Sequence, residues 1–327
     1  MPRPPRRVSL TMRSVRSVDN PCRCAFADQC DSQGGGMPPT RLALIKHDAT
    51  TQQPSNQTIE QTSHAPIEAT YVHTVYDAIA GHFSATRFAV WGSVRDFITS
   101  LAAHALVADV GCGNGKYFYV RPDLAVLGSD RSPALAGVAT RRLSLAHKPA
   151  VADVAVADAL HLPYRSGCAD AALCIAVLHH LSTPPRRRQL LAELARVLMP
   201  GGRALVTVWA LEQQDAGLLA KWVPLGGDDA TQRDYLVPWH LPMHRADAPA
   251  ALAVGEGDAV VDPRKHAVVL QRYYHLFASG ELEALVGEVP GLRVVCSYYE
   301  KSNWGVELER VSPPAKEVEV AARAHAG

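Results

Sequence analysis

Between Asp109 and Gly115 the chain reads Asp-Val-Gly-Cys-Gly-Asn-Gly, an acid and then three glycines at alternate positions, following the apolar residues Leu106 to Ala108. Glycine lets a backbone turn through positive φ and approach a ligand with no Cβ in the way. A dinucleotide-binding turn spaces its glycines G-x-G-x-x-G, so that a helix N-terminus faces a pyrophosphate. Gly111, Gly113 and Gly115 are spaced differently, and Asp109 repels a phosphate. A nucleoside with an amino-acid end and no phosphate suits this turn, with Asp109 taking its ammonium group, and S-adenosylmethionine (SAM) is such a molecule. A glycine-rich strand-to-helix turn without a ligand is the plainer reading of these residues alone.

The strand that runs to Ser129 ends in Asp130, where a nucleoside-binding α/β fold carries the acid for both ribose hydroxyls. A third apolar run, 151–157, ends at Asp158-Ala159-Leu160. A lone strand-end Asp is more often a helix cap or a solvated turn, but three acids in this order match one nucleoside site. The D-x-G-x-G-x-G pattern resembles the first motif of class I methyltransferases. That resemblance assigns Asp109, Gly111, Gly113, Gly115 and Asp130 to the cofactor. It adds Asp158 and Ala159 beside the adenine, and Ala176 at the end of the fourth strand.

On the acceptor side, Arg87 closes the run Ser84-Ala85-Thr86-Arg87 and is the first candidate, because a guanidinium fork suits a carboxylate or phosphate. Its alternative is an ordinary surface ion pair. Tyr76 and His82 lie on the same segment, and either can simply pack. His179 and His180 follow the fourth strand, where methyl donor and acceptor meet; a loop His is otherwise a satisfied core residue or a helix cap. Trp209, Glu212 and Gln213, ending the fifth strand, are candidates to reach a base or shape the pocket, and Trp239 and Tyr273-Tyr274 are candidate base platforms, although aromatics more often fill a core. Arg186, Arg187 and Arg188 offer phosphate contacts or a solvated helix face. No metal site is expected, since Cys22, Cys24 and Cys30 have no fourth ligand nearby.

The elements that must position these residues alternate along the chain. Apolar residues at helical intervals between Tyr71 and Leu101 predict two helices roofing the pocket. Strand at Ala105, helix after Ser132, strand at Val151, strand from Ala169, helix after Thr183 and strand from Ala204 then predict a doubly wound parallel sheet. Thr183 is placed to cap its helix and Pro184 suits the first turn. From Glu212 to about Leu270 the pattern weakens into prolines, glycines and an Ala/Asp run, which reads as loops or mobile insertions. A helix from about Glu281 precedes two β-rich runs, 292–299 and 304–309, expected to form an antiparallel hairpin.

Of 327 residues, 47% are hydrophobic and 20% charged, and the net charge is +1. This is a globular composition with ample chain for a core. Its charge neither recruits nor excludes nucleic acid, so an RNA site must be a local basic patch. Seven cysteines without framework spacing predict reduced thiols in an intracellular compartment. No apolar run reaches the roughly 20 residues that span a bilayer. Residues 1–18 are rich in Arg and Ser, which weakly resembles a transit peptide, but Pro2, Pro4 and Pro5 discourage an amphipathic helix. A disordered extension over 1–65, a catalytic domain over 66–310 and a tail over 311–327 are expected.

Several segments together closely resemble the eukaryotic tRNA methyltransferase 9 family. They are YVHTVYDAIAGHFSATR from Tyr71, DVGCGNGKY from Asp109, GSDRS from Gly128, AVLHHLST from Ala176, WALEQ from Trp209, VPWHLP from Val237 and RYYHLF from Arg272. Generic class I methyltransferases share the second and third; the first and the last three discriminate. The same module resembles the methyltransferase part of a larger AlkB homolog, and this chain resembles the stand-alone form. The resemblance implies a Rossmann-like, mostly parallel seven-stranded sheet closed by an antiparallel hairpin. It implies SAM as cofactor, tRNA as substrate and methylation of the carboxylate of wobble 5-carboxymethyluridine. It further implies a small zinc-containing activator subunit and a cytoplasmic, in part nuclear, location. Such a carboxylate, with a pKa of roughly 4, is already ionised, so no general base is expected. The alternatives are a small-molecule methyltransferase on the same module and a non-catalytic SAM-binding scaffold.

Overall fold

A computed structural model of the chain describes residues 67–145, 151–215, 217–226, 233–254 and 259–311. The expected extension over 1–65, its cysteines, and the tail beyond Val311 lie outside the described residues.

The main sheet has seven strands: β1 (Leu106–Val110), β2 (Ala125–Asp130), β3 (Val151–Val156), β4 (Ala169–Ile175), β5 (Leu198–Trp209), β10 (Leu292–Glu300) and β11 (Asn303–Arg310). Their order is β10-β11-β5-β4-β1-β2-β3. Pairs from β3 through β5 are parallel, whereas β11 runs antiparallel to both β5 and β10. β1 is buried at every residue, as a strand covered on both faces must be, which is why its sequence is a near-continuous apolar run. The strand order reverses between β1 and β4, and such folds bind their ligands outside the carboxyl ends of the strands at that point.

Helices α1 (Val75–Thr86) and α2 (Gly92–Ser100) precede β1, as the periodicity predicts, and a π-helical turn Ala69–Thr74 leads into α1. Two further helices, α3 (Pro133–Leu145) and α4 (Pro184–Val197), cover the sheet. Asp77 of α1 accepts hydrogen bonds from the Ser132 hydroxyl and the Ala134 amide at 3.2 Å, fastening the lid helix to the start of α3. Thr183 does hold the N-cap position of α4, but its hydroxyl makes no cap bond and is buried without a partner.

The stretch read as loops is instead a second, antiparallel sheet. It comprises β6 (Val223–Pro224), β7 (Asp234–Pro242), β8 (Val260–Asp262) and β9 (Ala267–His275), ordered β6-β7-β9-β8. Pro238 hid β7, because proline removes a ladder donor. Here β6 pairs only with Tyr235 and Leu236, so among the described residues Pro238 has a strand on one side alone, the setting in which a sheet tolerates proline. Helix α5 (Ala248–Val254) supports this sheet, and Trp239, Leu241, Val268 and Leu270 pack against Val75 and Ile79 of α1. The final helix α6 (Glu281–Gly287) and the β10-β11 hairpin fall where the pattern put them. No helix among the described residues is long and apolar enough to cross a membrane.

Candidate active site

The glycine turn follows β1 directly. Gly111, Gly113 and Gly115 have φ of 70°, 56° and 69°, a region that side chains with a Cβ rarely adopt. A Cβ on Gly111 would stand 2.3 Å from Val177 Cγ2, so the turn presses against the loop after β4. At the tip of β2, Asp130 accepts from the Gly113 amide at 2.8 Å and the Ser132 amide at 2.9 Å. These bonds hold the carboxylate under the turn, while burial pushes its pKa up to about 6. Ala176, just past β4, has φ of 59° without being glycine, and its amide is held by the Thr207 carbonyl and hydroxyl. Such strain persists where neighbouring contacts enforce it, often at ligand sites.

These elements wall a cavity of about 240 Å³. Gly111, Gly113, Asp130, Asp158, Ala159 and Ala176 line one side; Tyr76, Arg87, His179, His180, Trp209, Arg272 and Tyr274 line the other. Two sequence elements separated by the whole sheet thus meet: the turn after β1, and strand β9 of the second sheet. Lys116 also lines the cavity, lying over the Trp91 and Tyr117 rings, and burial lowers its pKa to about 8.

The acceptor wall is a directed hydrogen-bond chain. His180 Nδ1 lies 2.9 Å from the Tyr273 carbonyl, which only accepts, so Nδ1 carries the proton. His180 Nε2 therefore accepts from the Tyr76 hydroxyl, 2.9 Å away. Tyr274 stands 3.3 Å from the Tyr76 oxygen and accepts from Arg272 Nη1 at 2.7 Å. His179 Nδ1 accepts the Trp209 amide at 3.2 Å, and its ring stacks on Tyr274 with centroids 4.7 Å apart. Burial holds both imidazoles neutral: His180 falls to about 3, and His179 lies well below its usual value. With both lone pairs occupied by protein donors, neither is a free base.

Several sequence candidates stand elsewhere. Asp109 is buried beneath the turn rather than lining the cavity; one of its oxygens has no partner, and burial, then the charge of Asp130, raises its pKa to about 7. Gly115 does not face the cavity: its missing Cβ makes room for Phe118 and Ala139. His82 Nδ1 accepts the Trp239 indole N–H at 3.1 Å, so both stand behind the wall. Glu212 is occupied by the Ser279 amide and the Trp304 indole, pinning the loop after β5. Tyr273 points away and donates to Asp234 at 2.7 Å, because neighbouring strand residues alternate faces. Tyr274 and Arg272, two apart, share the face toward the cavity; recognising β9 as a strand would have singled them out. The arginine run is committed: Arg186 pairs with buried Glu68, Arg187 donates to the Leu181 carbonyl, and Arg188 pairs with Glu288.

The residues fit SAM. Asp130 offers acceptors for a ribose, each oxygen keeping a spare lone pair beside its backbone bond. The buried acids Asp109 and Asp130 make the turn unfavourable for a phosphate. A nucleoside site at the glycine turn of a class I sheet, facing a wall of Tyr, Trp, His and Arg, defines a SAM-dependent methyltransferase. A family model described as a methyltransferase domain matches residues 108–206. Relatives named tRNA (carboxymethyluridine(34)-5-O)-methyltransferase match widely. That of Schizosaccharomyces pombe is 39% identical over 243 residues, covering 74% of this chain and 97% of the relative. That of Arabidopsis thaliana is 35% identical over 336 residues, covering 75% and 81%. The chain belongs to this tRNA (carboxymethyluridine(34)-5-O)-methyltransferase family. The relative from Xenopus tropicalis, named alkbh8, is 37% identical over 93% of this chain, which spans only 48% of that protein. Among solved structures, the CcbJ methyltransferase of Streptomyces caelestis shares the fold, with a TM-score of 0.52 and 13% identity over 74% of this chain and 100% of that one.

Proposed function

We propose that this chain methylates the carboxylate of 5-carboxymethyluridine at the wobble position of tRNA, giving the methyl ester. The carrying observation is the acceptor wall, which offers cation and aromatic surface while protein donors already occupy the lone pairs of His179 and His180. SAM, when bound, supplies a methyl group on a sulfonium, and its transfer to an ionised carboxylate releases no proton. The chain's own task is then to align the two groups, strip water from the carboxylate and hold both still. Asp130 takes the ribose, Asp158 and Ala159 flank the adenine, and Lys116 serves the carboxylate of the amino-acid end. Trp209 and Tyr274, with ring centroids 4.5 Å apart, form the stacking surface for the base. Arg87, exposed at the cavity mouth and 5.0 Å from the Trp239 ring, serves the RNA backbone.

The zinc-containing activator subunit belongs to the same proposal. Among the described residues β3 has a neighbour on one side only, and Val151 and Val156 on it are 64% and 58% exposed. An apolar free edge is what a protein partner covers. The test is to incubate the full chain, with and without that subunit, with labelled SAM and tRNA carrying carboxymethyluridine, then digest to nucleosides. Label in the methyl ester is the expected result; its absence under both conditions overturns the reading.

A further inference from the structure

Arg272 is a built anion receptor. It is 5% exposed, yet among the described residues no carboxylate pairs with it. Its guanidinium lies close to two rings, with Cζ 4.8 Å from the Trp239 centroid and 5.0 Å from that of Tyr274. A guanidinium presents its N–H groups only in its own plane. Nη1 is taken by the Tyr274 hydroxyl at 2.7 Å, whereas Nε is buried with no partner. Arg272 lines the cavity beside Tyr76, His180 and Trp209. A buried guanidinium without a counter-charge is costly, and an unmatched donor adds to the cost. A ligand that brings a carboxylate removes both costs at once.

We propose that Arg272 receives the acceptor's carboxylate and is the residue that selects an ionised carboxymethyl group over its neutral amide; this rests on the wobble-uridine reading above. The edge carrying Nε donates side-on to a carboxylate oxygen. An amide offers one acceptor oxygen where the carboxylate offers two, and forfeits the charge. The methyl ester has lost its charge too, so the reaction itself weakens the product's hold on the site. Arg87, exposed at the mouth, makes no such selection.

The experiment uses the full chain with its activator subunit and two anticodon stem-loops, one carrying carboxymethyluridine and one carbamoylmethyluridine. Arg272→Gln and Arg272→Lys are compared with the wild type for SAM binding, for methyl transfer, and for stem-loop binding with S-adenosylhomocysteine present. Expected for Arg272→Gln are SAM binding within about 2-fold of wild type and kcat/KM lower on the order of 100-fold. Its preference for the carboxymethyl stem-loop is lost, and Arg272→Lys recovers part of it. Preserved preference in Arg272→Gln overturns the proposal, as does SAM affinity falling in step with activity, which would put Arg272 on the cofactor. Should neither variant fold, nitrogen-15 spectra of the wild type decide: the Arg272 Nε–H signal moves with the carboxymethyl stem-loop and not with the carbamoylmethyl one. If it moves with neither, the proposal fails. No methyl ester from the wild type overturns the wobble-uridine reading itself, whereas wild-type transfer with an unaffected Arg272→Gln overturns the Arg272 assignment alone.

Discussion

Tyr76 donates its hydroxyl proton to His180 Nε2 across 2.9 Å, and the direction is fixed because His180 Nδ1 is already bound to the Tyr273 carbonyl. A residue of the lid helix, a loop after β4 and a strand of the second sheet are thereby joined in one line. Tyr76→Phe removes the donor and leaves a buried Nε2 without a partner. We expect a rate loss of roughly 10-fold, corresponding to about 1.4 kcal/mol, with SAM affinity unchanged. Single-turnover transfer and calorimetric SAM titration check this. The wild-type single-turnover rate should also stay flat from about pH 6.5 to 8, since burial keeps both His179 and His180 neutral there.

Cofactor affinity, in contrast, carries a pH dependence. Asp130 must be ionised to accept ribose hydroxyls with both oxygens, and burial raises its pKa to about 6. As pH falls through that value the carboxylate gains a proton and SAM affinity weakens. Titrations between pH 5 and 7, below the range in which Lys116 loses its charge, should show tighter binding at the upper end, and Asp130→Asn should bind weakly and lose that rise.

Asp109 should act in the opposite sense on stability. Its folded pKa of about 7 lies above the usual 3.8, so between those values the folded chain holds a proton that the unfolded chain releases. Stability therefore declines as pH rises through this window, and Asp109 is a net cost at pH 8. Asp109→Asn should melt higher than wild type at pH 8 by more than it does at pH 5, as thermal denaturation at both values will show.

Gly111 has no tolerable substitute. In Gly111→Ala a φ of 70° combines with a Cβ 2.3 Å from Val177 Cγ2. The loop carrying His179 and His180 must move, so both SAM binding and melting temperature should fall, whereas Gly201→Ala meets no atom within 4 Å. Gly201 shares a positive φ of 76°, so its variant isolates the backbone strain from the clash.

Glu68 latches the start of the lid. It is 1% exposed and accepts from the Ser182 amide and hydroxyl and from Arg186 Nε, each at 2.8 Å, and from Arg186 Nη2 at 2.7 Å. Glu68→Ala strands the Arg186 charge and should destabilise by about 3 kcal/mol. Faster amide exchange at Ser182 would show that the latch, rather than the core, has opened.

What the sequence alone determined is the part built from local contacts. The glycine turn, Asp130 and Asp158 lie at the ends of consecutive parallel strands, and a strand's end is legible from where its apolar run stops. The cofactor side, the parallel sheet implied by alternation, and the C-terminal hairpin follow from such local patterns. The family segments added the expected substrate. The tertiary structure decided the acceptor wall, because its residues come from positions about 200 apart and meet only when β9 crosses over the lid. Prolines masked the strand character of β7, and with no partner strand in view β9 is not legible as a strand either, so no alternation separates Tyr273 from Tyr274. Arg272 was invisible for the same reason: its meaning lies in a missing partner, and whether a charge is buried and unpaired is set by packing, which no spacing of residues along a chain records.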